Sequence, residues 1–304
     1  MGEKFMELRV LRYFLAVVRE EKITGAAETL HVTQPTLSKQ LMDLEDELGK
    51  KLFTRGNRKI TLTEEGVFLR KRAQEIVDLV EKTKSEFDQF DKSISGNISI
   101  GAGETDAMRL IAKTIKRMRE EYPNISFDLF SGNADDVTER LDKGLLDFGI
   151  LIEPVDLKKY DHLQLPATDT WGLLMKKNSP LANLDSIRSE NLWDIPLICS
   201  KRTLVRNKIS GWLKGDYDKL NIVATYNLLY NASHMVEEGV GYALCIDKLA
   251  YTARNSRLCF KPLKPRLESL LDITWKKYQV FSKAREMFLH KLQEEINTIT
   301  KHQK

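Results

Sequence analysis

The chain has 304 residues, 42% of them hydrophobic and 30% charged, and a formal net charge of +4. That length can support two or three domains with their own cores, and the composition is ordinary for a soluble globular protein rather than a disordered or fibrous one. No apolar run approaches the roughly 20 residues of a membrane span, no secretory leader pattern opens the chain, and Cys199, Cys245 and Cys259 are too scattered for a disulfide framework or a zinc site, so a cytoplasmic protein without membrane contact is expected.

The opening Met1-Gly2-Glu3-Lys4-Phe5-Met6 lacks the Ser or Thr that N-myristoylation requires at position 6, and Met6 offers a second start. Residues 6–20 place Leu8, Leu11, Leu15 and Val18 on one helical face. Thr24 suits the N-cap of a short helix over 25–30, in which Ala26 and Ala27 permit close helix contact. His31 and Val32 form a tight turn. Thr33 then caps a third helix, with Pro35 in its first turn, where the missing N–H costs nothing. Leu37, Leu41, Leu44 and Leu48 make its apolar stripe, and Gly49 ends it. At about 100° per residue, Pro35, Thr36, Lys39, Met42 and Asp43 lie opposite the leucines, flanked by Gln34 and Ser38.

Two short helices joined by a tight turn, the second with small polar residues and a cation near its N-terminus, are the helix-turn-helix pattern. Gln can donate and accept on a base edge, Ser and Thr can meet bases or phosphates, and Lys neutralises phosphate. Residues 1–92 carry 17 Lys+Arg and 17 Asp+Glu, so the segment as a whole is neutral. Local distribution says more: from Leu48 to Thr63 there are five cations, Lys50, Lys51, Arg55, Arg58 and Lys59, and no carboxylate. "FTRGNRK" reads as a turn between two short strands, a wing reaching the DNA backbone or minor groove.

The stretch "AAETLHVTQPTLSKQLMDLEDELGKKLFTR" and the closing "LTEEG" resemble the N-terminal domain of LysR-type transcriptional regulators. The resemblance covers about the first 92 residues and implies a winged helix-turn-helix that reads double-stranded DNA. It implies that Gln34, Pro35, Thr36, Ser38 and Lys39 are the reading positions and Arg55 and Arg58 the backbone or wing positions; Thr33 at the helix start and Lys59 in the cationic run join them as DNA-binding candidates. Lys39 stands where many members carry Arg, and a Lys cannot reproduce the rigid bidentate fork of Arg on guanine.

From about Glu64 to Phe90, the residues Leu69, Ala73, Ile76, Val80, Thr83, Phe87 and Phe90 repeat at alternating spacings of four and three. That is a heptad seam between mostly charged positions, and the resembling family uses this helix to form dimers. "DKSISGN", residues 91–97, reads as a linker. Beyond it strands and helices alternate: "ISIGAG", a helix over 105–121, "ISFDLFSG", a helix over 134–143 and "LDFGILIE", which predicts a parallel sheet. A second set runs from about residue 165: "WGLLMKK", a helix near 186–192, "PLICS", a helix near 204–214, "NIVATYN", a helix near 231–238 and "GYALCI". The chain closes with "RLCFKPL", "LLDITWKKY" and a helix over 283–300.

The expected fold is therefore an all-α winged helix-turn-helix domain (1–63) with a long linker helix (64–92), followed by an α/β two-lobed effector-binding domain (93–304). Lobe one is 97–163 plus 270–304 and lobe two 164–269, with crossings near His162 and Ser269. In such folds ligands sit beyond the strand C-termini, at loops that open helices. Thr105, Ser131, Ser200, Lys201, Thr203 and Asn227 are the candidate effector contacts, and Lys201 with Arg202 suits a small carboxylate; Glu104 repels an anion unless it turns away. No zinc-protease, phosphate-loop or full dinucleotide-binding motif is present, so no catalysis, metal or cofactor is expected.

The partners expected are an interrupted inverted DNA repeat, a small-molecule effector, a homodimer or homotetramer, and RNA polymerase. Residues 97–304 alone leave open a rival reading, a solute-binding or enzyme domain with an accessory helical N-terminus; residues 24–59 argue against it. An architectural DNA binder whose C-terminal domain takes no ligand is the third possibility, separable by ligand-dependent footprints.

Overall fold

The computed structural model describes residues 6–55, 59–88, 94–250, 252 and 255–302, and the chain divides into two units, Met1–Asp88 and Gln89–Lys304. In the first unit, helix α1 (Leu8–Glu20) buries Val10, Leu11, Phe14, Ala16 and Val17. This corrects the expected Leu8–Leu11–Leu15–Val18 face: α1 is packed against several helices at once, and Leu15 and Val18 are only half-buried at the edge of the core. Helix α2 (Ile23–Thr29) starts two residues before its expected position, with no side-chain cap, so Thr24 lies exposed inside the first turn rather than capping it. Ala26 and Ala27 are buried as expected. His31 makes the turn at φ 54°, a left-handed conformation, and Val32 N–H donates to Ala27 O at 3.0 Å.

Helix α3 (Gln34–Leu48) is capped by the Thr33 hydroxyl, which accepts from Thr36 N–H at 3.4 Å, and ends at Gly49 with φ 64°. Leu37, Leu41 and Leu44 are buried, but Leu48 is 40% exposed, because the last turn runs beyond the helices that cover the stripe. The buried residue there is Glu45. Its carboxylate accepts from Leu52 N–H (2.8 Å) and Phe53 N–H (3.3 Å) and pairs with Lys51 (2.7 Å). Burial alone would raise this carboxyl; the Lys51 and backbone hydrogen bonds outweigh it and hold it below its ordinary value.

Strands β1 (Phe53–Arg55) and β2 (Ile60–Leu62) pair antiparallel, Phe53 opposite Leu62, as the expected wing. Its tip lies outside the described residues. Helix α4 (Glu64–Asp88) begins where the Thr63 hydroxyl accepts from Gly66 N–H (3.0 Å) and donates to Lys51 O (2.7 Å). Its first half belongs to the core of this unit: Leu69 and Ala73 are buried with Phe14, Leu37 and Leu52, and Val77 packs against them.

The second unit is built on one mixed sheet in the order β4-β3-β5-β11-β6-β9-β7-β8, with β10 also on β6. Strands β3 (Gly96–Ala102), β4 (Ile125–Ser131) and β5 (Phe148–Ile152) are parallel, and helices α5 (Met108–Glu121) and α6 (Ala134–Asp142) connect them. Strand β6 (Tyr160–Lys176) runs through both lobes. It leads to β7 (Leu197–Ser200), α7 (Thr203–Leu213), β8 (Ile222–Tyr226), α8 (Leu229–Glu237) and β9 (Tyr242–Ile246), where β7 is parallel to β8 and β9. Strands β10 (Leu258–Pro262) and β11 (Glu268–Lys276) and helix α9 (Lys283–His302) return the chain to lobe one. The expected helix near 186–192 is only a three-residue turn of 3-10 helix, Ser189–Asn191.

The crossing on β6 differs from expectation. Its pairing with β11 extends to Thr170 opposite Glu268, and its pairing with β9 begins at Trp171, so the chain changes lobe at Thr170–Trp171 rather than near His162. Pro166, which has no N–H to offer the ladder, lies where the β6–β11 register slips. On the return path Ser269 pairs with Asp169 beside this crossing. The wholly buried Ser269 hydroxyl accepts from Trp171 Nε1 (2.9 Å) and Lys208 Nζ (3.0 Å) and donates to Glu153 O (2.7 Å). Ile98, Ile100, Phe148, Leu271 and Phe288 centre the core of lobe one; Leu173, Leu197, Ile209 and Leu244 centre that of lobe two.

Candidate functional site

Three surfaces carry the chemistry. The first is the outer face of α3. Thr33, Gln34, Pro35, Thr36 and Lys39 are exposed there and Ser38 is half-buried, while Leu37 and Leu41 point inward. The residues are brought together by helical geometry, and Met42, 45% exposed, extends the face by a turn. The polar groups satisfy one another: Thr33 and Thr36 hydroxyls lie 2.7 Å apart, and Gln34 Nε2 donates to Ser38 Oγ at 3.4 Å. Both contacts are exposed and exchangeable for base or phosphate contacts.

The wing cations are less free than their run in the sequence implies. Lys50 pairs with Glu65 (3.5 Å), Lys51 with Glu45, and Lys59 with Glu21. The partners come from outside the carboxylate-free stretch, so only tertiary structure reveals them. The Lys59 hydrogen bond and charge hold the Glu21 carboxyl below its ordinary value. The Lys50 and Lys59 pairs are exposed on both sides, the kind that stabilises a fold little and that a phosphate can replace. Arg58 and the Arg55 side chain lie outside the described residues.

The second surface is an apolar stripe on α4. Phe68 (65% exposed), Ile76 (39%), Leu79 (42%) and Phe87 (70%) fall within a sector about 100° wide. Two of the expected dimer contacts are corrected. Leu69 and Ala73 face the core of their own unit, because the first half of α4 packs on α1, and the free stripe is rotated from them toward Phe68 and Leu79. Ile76 and Phe87 remain on it, Val80 is half-buried at its edge, and Phe90 lies outside the described residues.

The third is a cavity of about 80 Å³ between the lobes of the second unit. Lobe one contributes Gly103, Glu104, Asn133, Ile150 and Ile152. Lobe two contributes Ser200, Arg202, Tyr226, Asn227 and Leu229, with Trp171 at the crossing. Of the expected contacts, Ser200 and Asn227 line it; Thr105, Ser131, Lys201 and Thr203 do not. The loops reach the cavity, but the side chains of these four residues do not line it. Lys201 and Thr203 are exposed while Arg202 between them is 8% exposed, and Ser131 ends an edge strand facing solvent. Arg202 spans the cleft: its Nε donates to Asp135 (3.1 Å) and its Nη2 to Pro154 O (3.0 Å). Glu104 spans it in the other direction, accepting from Leu229 N–H at the start of α8.

Thr105 instead serves the crossing. Its hydroxyl accepts from Ala107 N–H (3.1 Å) and reaches the carboxyl of Asp169. Asp169 is 2% exposed and its Oδ2 has no hydrogen-bond partner among the described residues. Burial raises this carboxyl to about 6; the Thr105 hydroxyl and Lys248 oppose the rise, and Asp247 and Asp106 add to it. A buried Asp carries no pattern in a sequence, so this residue was missed. With a folded value near 6 against an ordinary 3.8, Asp169 binds its proton more tightly in the native state. Its stabilising contribution is whole below 3.8 and is lost as pH rises through 6. Asp169→Asn is therefore expected to match wild type in acid and to exceed it by roughly 3 kcal/mol above neutrality. All four tryptophans (Trp171, Trp193, Trp212, Trp275) lie in this unit, so fluorescence-detected urea unfolding of both proteins across the range reads the difference. A variant advantage independent of pH would refute the assignment.

Cys199 and Cys245 are buried thiols: burial pushes Cys199 up to about 11 and Cys245 higher still. Both are protonated at neutral pH, unsuited to nucleophilic or redox work. Among the described residues no three His, Cys, Asp or Glu side chains could jointly hold a metal ion, and no helix is long and apolar enough to cross a membrane.

Two family profiles match the chain: "Bacterial regulatory helix-turn-helix protein, lysR family" over residues 8–67 and "LysR substrate binding domain" over residues 91–297. Among curated proteins it is similar to the HTH-type transcriptional regulator BsdA of Bacillus subtilis (strain 168), 33% identical over 196 residues, 64% of this chain and 66% of BsdA. The Hca operon transcriptional activator HcaR of Escherichia coli (strain K12) is 27% identical over 299 residues, 97% of this chain and all of HcaR. Among solved structures, CbnR, a LysR family transcriptional regulator, shares the fold at TM-score 0.72 and 18% identity, covering 96% of this chain and 99% of CbnR. Full-length CbnR complexed with its target DNA gives 0.71 and 19%, with the same coverage.

Proposed function

The chain belongs to the LysR family of bacterial helix-turn-helix regulators, and from that membership we propose how its parts act. It is a DNA-binding transcriptional regulator with an effector-binding second unit. In the proposal, α3 enters the major groove with Gln34, Pro35, Thr36, Ser38 and Lys39 toward the bases and Thr33 toward a phosphate. The wing, through Arg55, Arg58 and Lys59, takes the backbone. Two copies joined along α4, as a homodimer or as half of a homotetramer, hold two such helices and select an interrupted inverted repeat. A small effector in the cavity shifts the balance between lobe arrangements, and with it the spacing or bend of bound DNA and its contact with RNA polymerase. The protein works in the cytoplasm and catalyses no reaction.

The observation that carries this reading is the exposed polar face of α3 behind a hydroxyl cap, above three buried leucines. The rival solute-binding or enzyme reading gives that face nothing to do. The test begins with sequencing DNA crosslinked to the protein, then measures affinity for a recovered site and for random DNA. Lys39→Ala is expected to lose about 5- to 150-fold on the specific site, equivalent to about 1–3 kcal/mol, and far less on random DNA. Equal losses on both, with a shallower salt dependence, would place Lys39 on phosphate only. Failure to recover a preferred sequence would overturn the regulator mechanism proposed here.

A further inference from the structure

We infer that the contact between the two lobes is proton-linked: Asp169 holds them in the present arrangement while its carboxyl is protonated, and its ionisation releases the lobe-one loop that carries Thr105 and Asp106. The inference rests on the reading of the second unit as two lobes whose arrangement governs DNA binding, and it adds the proton as an input to that balance. Its basis is where Asp169 sits. The residue lies on β6 directly before the crossing at Thr170–Trp171, is 2% exposed, and leaves Oδ2 without a hydrogen-bond partner among the described residues. A buried oxygen in that state costs a neutral acid far less than a carboxylate.

The groups around it come from both lobes. From lobe one, the loop between β3 and α5 supplies Thr105, whose hydroxyl reaches the carboxyl, and Asp106. From lobe two, the segment after β9 supplies Asp247 and Lys248. On β11, Ser269 pairs with Asp169, and its hydroxyl is engaged by Lys208, Trp171 and the Glu153 carbonyl. Beside it Arg266 pairs with Glu268 (2.8 Å) and donates to Thr170 Oγ1 (3.1 Å). The nearby cations have partners of their own: Arg109 pairs with Asp106 (2.7 Å), Lys248 with Asp247 (3.8 Å) and Lys208 with Glu153 (4.0 Å). Ionised Asp169 is thus a buried carboxylate between a carboxylate of one lobe and a carboxylate of the other.

Relief comes from the lobe-one side. Thr170 N–H donates to Asp247 Oδ1 (2.9 Å) and Asp247 N–H to Thr170 O (2.8 Å), which fixes the lobe-two side to β6. The Thr105–Asp106 loop has no such ladder. It also carries Glu104, which accepts from Leu229 N–H of lobe two, so its release alters a bond between the lobes. Burial first, then Asp247 and Asp106, raise the Asp169 carboxyl from 3.8 to about 6 against the pull of Thr105 and Lys248. The tied arrangement is therefore favoured below 3.8 and loses ground until the pH passes 6. With an ordinary carboxyl in the released arrangement, the ratio of released to tied lobes rises about tenfold between about pH 5 and about pH 8.

The test measures the interlobe distance in the full-length protein. Spin labels on Ala112→Cys of α5 and Asn207→Cys of α7, both at exposed positions, are read by double electron–electron resonance in a Cys259→Ser background. Labelled chains are diluted into unlabelled protein, so that each distance lies within one copy. The distance distribution is expected to shift as pH rises and to level off above about 6. Asp169→Asn is expected to keep the acid distribution at every pH. Thr105→Val is expected to extend the shift to higher pH, because the hydroxyl favours the ionised carboxyl. A distribution that ignores pH overturns the inference. So does an Asp169→Asn protein that still shifts, or that holds the alkaline distribution throughout. DNA affinity measured on the same samples separates the inference from the reading beneath it: a distance that follows pH while DNA binding stays constant supports the proton linkage and defeats the coupling of lobes to DNA.

Discussion

An Ile76→Asp protein is expected to sediment as a monomer and to bind DNA carrying two half-sites about 10²- to 10⁴-fold more weakly than wild type, because linkage of the two reading heads is lost. Binding to a single half-site should stay within a few-fold of wild type, since α3 and the wing are untouched. The site is chosen from the structure. Ile76 is 39% exposed on the free stripe of α4, so a charge there costs the isolated chain little. Across an apolar dimer seam the same carboxylate is buried without a partner, at a cost of several kcal/mol that association must overcome. Asp at Ala73 would not discriminate: Ala73 is wholly buried in its own unit, and the variant would lose its fold along with its partner. Analytical ultracentrifugation at micromolar concentration decides the matter. A fully dimeric Ile76→Asp protein would remove α4 as the dimer seam.

The second large effect is expected at Gly66→Ala. Propensity alone says this substitution in a helix should stabilise by about 1 kcal/mol. The packing says otherwise. A Cβ at Gly66 would sit 2.1 Å from the carbonyl oxygen of Leu52 and 2.9 Å from Leu62 Cδ2. The first is backbone, and it already accepts from Thr63 N–H at 3.0 Å, so no rotamer change relieves the clash. Either α4 or the base of the wing must move, disturbing the Thr63 cap and the Glu45 bonds to Leu52 and Phe53. Overpacking of this kind costs about 1–3 kcal/mol or more, which outweighs the propensity gain. The first unit has no tryptophan, so hydrogen exchange of α3 and α4 peptides in the full chain is the measurement. Faster exchange there, with the second unit unchanged and DNA binding lost, is expected. Protection equal to or above that of wild type would show that the junction yields at no cost.

What the sequence determined by itself is local. Thr33 followed by Pro35 fixed the start of α3, and Gly49 its end, because caps and breakers act on their own few residues. The alternation of strands and helices beyond residue 96 fixed the α/β character of the second unit through periodicity alone. The stretch from Ala26 to Arg55, by resemblance, led to the DNA-reading face. The tertiary structure decided everything that depends on which residues meet from afar. Leu69 and Ala73 satisfy a heptad spacing equally well whether they face a second copy or α1, and only packing chooses. Lys50 and Lys59 look unpaired until Glu65 and Glu21 arrive beside them. Lys201, Arg202 and Thr203 are equivalent in a loop, but the backbone turns only Arg202 inward. Asp169 and Glu104 carry no motif at all. One is buried at a strand crossing, where burial raises its carboxyl, and the other reaches a helix start from the opposite lobe; no short stretch encodes such long-range contacts.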